Sequence, residues 1–137
     1  MKKKILIGFV VSFVLLEALS YLVNGVLLRS GWESVGQLLR PDMNSLMWVY
    51  YVITLVEAFF FTFIFSKGFE GKGIMEGVRY GLYIGIWLSI GMAYGTYAMI
   101  AIPYSMALQW FIYGILTYVI AGIGLALVFG KKEVQKA

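Results

Sequence analysis

The sequence predicts an all-α fold: a polytopic membrane protein whose four transmembrane helices form one antiparallel bundle. Three observations carry that prediction. Hydrophobic residues make up 61% of the 137-residue chain and charged residues only 13%. Mean hydropathy is +0.86, well outside the range of soluble globular domains. The apolar sequence also divides into four runs of span length joined by short polar connections. A span needs about 20 apolar residues, so four of them fill the chain as a single domain, residues 1–137, and leave no room for a soluble one.

The first span covers residues 5–28 and follows Lys2, Lys3 and Lys4. This basic-then-apolar order resembles a secretory signal, with Ala18-Leu19-Ser20 as a possible cleavage site. The run continues past that point to Leu28 and carries Glu17 beside the would-be cut, which favours a retained helix. Residues 29–44 form the first connection. There Ser30-Gly31-Trp32-Glu33 has the capping-box pattern and is followed by Val35, Leu38 and Leu39 before Pro41. The pattern predicts a short interfacial helix, with an irregular loop dipping into the headgroups as the alternative. The second span covers 46–65, the third 75–102 and the fourth 104–129, with Pro103 marking the tight turn between the last two.

Charge placement gives the orientation. Lys2, Lys3, Lys4, Lys67, Lys72, Arg79, Lys131, Lys132 and Lys136 fall on the side of the N-terminus, and only Arg29 and Arg40 on the other. Cytoplasmic loops carry the Lys/Arg excess, so the expectation is a multi-pass protein of the plasma (inner) membrane with both termini cytoplasmic. The formal charge of +4 flanks apolar runs instead of forming a stripe on a soluble fold, so no nucleic-acid partner is expected. Cysteine and histidine are absent. That removes disulfides, thiolate nucleophiles, His-ligated metals and imidazole bases, and the expectation is a non-enzyme without metal or cofactor.

Two carboxyls stand out. Glu17 and Glu57 lie near the centres of the first two spans, within Leu-Leu-Glu-Ala and Leu-Val-Glu-Ala. A carboxylate at bilayer depth costs a few kcal/mol, so it is protonated, paired or turned to a polar cavity. At about 1.5 Å per residue, Glu17 sits roughly 18 Å in from Ile5 and Glu57 roughly 15 Å in from Lys67. If the two helices are neighbours, the carboxyls lie at similar depth and can share a proton. Glu17 shares a helical face with Phe13, Ser20, Tyr21 and Asn24. The fourth span offers Ser105, Gln109, Tyr113 and Thr117 at steps of four, with Gln109 and Tyr113 as preferred partners for Glu17. The alternative is that both carboxyls only fix helix register.

The third span has two opposed faces. Gly77, Gly81, Gly85 and Ser89 form a small-residue ridge that suits close helix approach, in an oligomer or inside one bundle. Tyr80, Tyr83, Trp87, Tyr94 and Tyr97 form an aromatic face that either anchors the helix or lines a site, beside Tyr83, Trp87 and Tyr94, for a lipid, a quinone or an aromatic compound. Arg79 snorkels to the surface or pairs with Glu76.

The stretch from Lys67 to Gly73, Lys-Gly-Phe-Glu-Gly-Lys-Gly, is followed by Glu76-Gly77-Val78-Arg79-Tyr80-Gly81-Leu82, and later by Ile102-Pro103-Tyr104 and Gln109-Trp110. Together these resemble a group of small, uncharacterised four-helix bacterial inner-membrane proteins. That resemblance implies fold and location and brings no activity. The functional expectations are therefore three. The first is an accessory or interaction subunit of a membrane assembly, in contact with membrane lipids and with copies of itself or a larger complex. The second is an oligomeric proton- or ion-coupled carrier of small amphipathic or cationic solutes using Glu17 and Glu57. The third is a lipid- or quinone-binding module, for which a groove beside Tyr83, Trp87 and Tyr94 would speak.

Overall fold

A computed structural model of the chain describes residues 1–131; Lys132 and Lys136 of the charge count lie outside the described residues. Helix α1, Lys2–Leu22, runs into a π-helical turn, Val23–Leu27. The connection that follows holds α2, Arg29–Ser34, and two 3-10 turns, Gly36–Leu38 and Met43–Leu46. Three long helices complete the chain: α3, Met47–Gly68; α4, Ile74–Met99; and α5, Tyr104–Phe129. Among the described residues there is no strand, only an isolated antiparallel bridge between Lys72 and Lys131.

Three segments are long and apolar enough to cross a bilayer: Lys2–Leu27, Met43–Gly68 and Tyr104–Phe129. Helix α4 matches α5 in length, at 26 residues, or about 39 Å at 1.5 Å per residue. It is not among those three segments, because Glu76, Arg79, several tyrosines and a run of glycines lower its hydropathy.

The long helices are uninterrupted because no proline lies inside them, and their ends are set by backbone chemistry. Helix α3 stops where Phe69 turns extended, and Gly71 and Gly73 then take positive φ values of 78° and 84°. A side chain at Gly73 is disfavoured by its φ, which lies in the left-handed region. Helix α4 stops before Pro103, and α5 ends on Gly130 at φ 74°. Lys4 donates to the Phe129 carbonyl at 2.8 Å, placing a cation at the negative end of α5.

In space, α1 lies between α3 and α5, and α4 packs along α5; α3 and α4 scarcely approach each other at the backbone. The α1 contact face is the stripe Gly8, Ser12 and Leu16 at steps of four. Ser12 and Thr62, both fully buried, share a hydrogen bond of 3.2 Å across α1 and α3. The α4–α5 contact is closer still. A Cβ added at Gly77 or Gly81 would strike the Gly122 or Tyr118 carbonyl, and Ser89 fits against Gly114. The ridge of Gly77, Gly81, Gly85 and Ser89 is thus occupied within the chain, by α5.

Two cores result. The larger gathers Leu16, Ala58, Phe61, Phe65, Tyr118, Leu125 and Phe129. The smaller, at the end holding the long connection, gathers Val35, Ile102, Met106 and Ala107 under Trp32 and Trp110, whose rings meet edge to face at 5.6 Å. The short helix of the connection does form, but not as a capping box. It begins at Arg29 after Leu28 with no side-chain cap, and Glu33 pairs with Arg29 at 3.1 Å instead of turning back to Ser30. Nearby, the Arg40 guanidinium holds the exposed Asp42 carboxyl below its ordinary range.

Candidate functional site

The Ser12–Thr62 bond fixes the register of antiparallel α1 and α3. Five residues further along each helix, about 7.5 Å on, stand Glu17 and Glu57, which therefore lie at nearly the same depth. Their surroundings differ. Glu57 accepts a hydrogen bond of 3.3 Å from the Tyr118 hydroxyl of α5. Glu17 has a buried Oε1 with no hydrogen-bond partner among the described residues.

Gln109 and Tyr113 do not serve Glu17, for a reason of register. Lys4 against Phe129 sets α1 beside α5 such that Leu116 is level with Glu17, and Gln109 lies about 10 Å nearer the opposite end of the bundle. Gln109 is exposed there, Tyr113 is half-buried, and the Tyr113 carbonyl accepts from Thr117 at 2.8 Å. Ser20 and Asn24 also belong elsewhere. Asn24 donates back to the Ser20 carbonyl at 3.1 Å and accepts from the Trp32 indole at 3.2 Å, tying the π-helical turn to α2. Glu76 does not pair with Arg79. Its carboxylate accepts the backbone N–H groups of Glu70 at 2.6 Å and Lys72 at 2.8 Å, bracing the loop between α3 and α4.

The gap between α3 and α4 is the site that these placements leave open. A cavity of about 340 Å³ lies there, bounded by Glu57, Phe60 and Phe61 of α3, by Ile84 and Trp87 of α4, and by Tyr118 at its back. Its volume falls within the range of small-molecule sites, about 300–1,000 Å³. Its surface is almost wholly apolar and aromatic; the Glu57 carboxyl and the hydroxyls of Tyr118 and Tyr80 belong to residues that line it, the first two bonded to each other and the third to the Phe61 carbonyl. Tyr80 crosses the gap and donates to the Phe61 carbonyl at 2.5 Å, with its ring on Phe61 and Phe65. Beyond Tyr80 and Ile64 a second cavity of about 180 Å³ continues to Gly68 and Glu76.

The aromatic face of α4 is therefore split. Trp87 borders the cavity yet is 67% exposed, Tyr83 is equally exposed and turned away from it, and Tyr94 meets Tyr104 near the opposite end of α4 at 3.3 Å between hydroxyls. Sequence reasoning singled out Glu57 and Trp87 separately, placed Tyr80 on the aromatic face with Trp87 without linking it to Glu57, and missed Tyr118. The available signal for Tyr118 was the buried stripe it starts with Ala121, Gly122, Leu125 and Phe129, one position beyond the polar ladder through Thr117.

Chemically, one carboxyl, two phenols and an aromatic wall suit a cationic group better than an anion, since among the described residues no Lys or Arg lines either cavity. The described residues also contain no cluster of acidic, His or Cys side chains able to hold a metal ion. No family model, curated protein or solved structure matches the chain.

Proposed function

We propose that this chain is a non-enzymatic, four-span protein of the plasma membrane, with both termini cytoplasmic, that binds lipophilic amines or other amphipathic cations from the bilayer at Glu57. The observation that carries the reading is the cavity between α3 and α4, where the Glu57 carboxyl meets an aromatic, cation-free wall. The four-span topology is supported by α4 lying along α5 over a comparable length. It is supported also by the clustering of Lys4, Lys72 and Lys131 at one end of the bundle. A site of this kind exchanges a proton for a cation, the elementary step of a proton-coupled carrier.

A partner's transmembrane helix, as an accessory subunit would require, fits the cavity poorly. A helix is about 10 Å across, and 340 Å³ accommodates a ring system or a short chain. The test is calorimetric titration of a lipophilic amine, such as octylamine, into the full chain in zwitterionic nanodiscs, with empty nanodiscs subtracted. The cation binds the ionised carboxyl, so protons compete. Affinity is expected to rise about tenfold per pH unit below the carboxyl's midpoint and level off above it. Glu57→Gln is expected to abolish both the binding and the slope. Binding that is indifferent to pH and to Glu57→Gln refutes the reading.

A further inference from the structure

The groove is longer than the part that holds Glu57. The two cavities share Ile64 and Tyr80 as walls, one opening on Glu57 and the other on Glu76. On α3 they follow one stripe, Glu57, Phe61, Ile64 and Gly68, and on α4 they follow Trp87, Ile84, Tyr80 and Glu76. Each stripe advances by eleven residues, about 16 Å along its helix, so the two helices agree on the length of the trough. A carboxylate stands near each end. Between them are aliphatic side chains and aromatic rings, and among the described residues no Lys or Arg lines either cavity.

We propose that this trough selects an elongated dication, a lipophilic diamine whose two ammonium groups lie about 16 Å apart, one at Glu57 and one at Glu76. This rests on the Glu57 reading above and adds to it the second anchor and the length of the ligand. Glu76 is 8% exposed, and each of its oxygens accepts one backbone N–H. A carboxylate offers about four lone-pair sites, so these two bonds orient it and leave acceptor capacity for an ammonium. Its loop-bracing role and its anchor role use different lone pairs. The rings of Phe61 and Tyr80 midway along the trough give the alkyl spacer an apolar seat. They leave a third charge in the middle without a partner, which excludes a tricationic chain of the same length.

The experiment compares n-alkylamines with α,ω-diaminoalkanes of the same chain length, in spacings below, at and above about 16 Å, on the full chain in zwitterionic nanodiscs. The expected result is a preference of tenfold or more for the diamine at the matching length only. Glu76→Gln is expected to erase that preference, so that the diamine binds no more tightly than the monoamine, and an unchanged far-ultraviolet circular dichroism spectrum reports that the bundle is intact. Because Glu76→Gln also disturbs the loop, Gly68→Leu provides a second route. Gly68 lines the far cavity, and an added Cβ there meets nothing within 4 Å, so a leucine is accommodated at the wall of that cavity and is expected to obstruct it and remove the preference. Equal affinity for mono- and diamine at every length, or a preference that survives both variants, overturns the second anchor while the Glu57 reading stands. Monoamine binding that ignores Glu57→Gln removes the Glu57 site and the dication with it.

Discussion

The glycine ridge of α4 allows a graded prediction whose size follows from the distances. A Cβ at Gly81 would lie 2.6 Å from Val119 Cα and 2.7 Å from the Tyr118 carbonyl carbon, and would strike the Tyr118 oxygen. Carbon atoms pack at about 3.5–4.0 Å, so Gly81→Ala requires α4 to move off α5 by about 1 Å. The obstacle is backbone, which has no rotamer to yield. Overpacking of this kind costs about 1–3 kcal/mol, and the better helix propensity of Ala returns about 1 kcal/mol at most. A net loss of about 2 kcal/mol is expected for Gly81→Ala, and the same for Gly77→Ala, which meets the Gly122 carbonyl. At Gly85 the nearest atom is Ile115 Cα at 3.0 Å, and the loss falls below about 1 kcal/mol. At Gly91 nothing lies within 4 Å, so Ala there is neutral or slightly stabilising. The assay is reversible unfolding of each variant in mixed micelles by titration with a denaturing detergent. Equal stability of all four variants, or a Gly91→Ala as damaging as Gly81→Ala, refutes the packing of α4 on α5.

Two further outcomes follow from single bonds. Thr62→Val keeps the shape of the side chain but strands the Ser12 hydroxyl at a fully buried site. The expected loss is about 0.6–1.7 kcal/mol, and the double variant Ser12→Ala with Thr62→Val is expected to recover part of it in a double-mutant cycle. Asn24→Ala removes the acceptor of the Trp32 indole and is expected to cost about 1 kcal/mol. It should also raise amide hydrogen exchange across residues 29–38 while leaving α3 unchanged.

Much of the architecture was legible because it depends on local chemistry. The positions of the long helices follow from apolar runs and proline placement, three of them apolar enough to cross a bilayer, and the similar depth of Glu17 and Glu57 follows from counting helical rise. What sequence could not supply was the rotation and stagger of each helix against its neighbours. Gln109 and Tyr113 have the right chemistry for a buried carboxyl, but Lys4 against Phe129, and Gly124 against Leu15 and Val11, slide α5 so that they sit too far along the bundle. Tyr118 lies at the right level, one residue from Thr117, and a single residue is 100° of rotation. Asn24 reads as part of a polar stripe with Glu17, yet the π-helical turn starting at Val23 changes the local winding and turns it toward Trp32.

The same packing explains why a groove exists where it does. Glycines draw α4 against α5 at close range, and Gly8, Ser12 and Leu16 draw α1 against α3 and α5. With α1 and α5 in the middle of the row, α3 and α4 form its edges, and Tyr80 reaches across to the Phe61 carbonyl with its ring packed on Phe61 and Phe65. A lipid-facing gap of this kind is ordinarily closed with aliphatic side chains, which lose nothing to hydrocarbon. Glu57 instead places a carboxyl in it at a depth where an unpaired charge costs a few kcal/mol, and the single phenol of Tyr118 satisfies one of its oxygens. Ser12 and Thr62 supply a buried polar contact between α1 and α3, whereas the bond of Glu57 ties α3 to Tyr118 of α5. In the proposed function, a cation entering the gap would remove the cost that the carboxyl imposes, and that recovered energy would drive binding at Glu57.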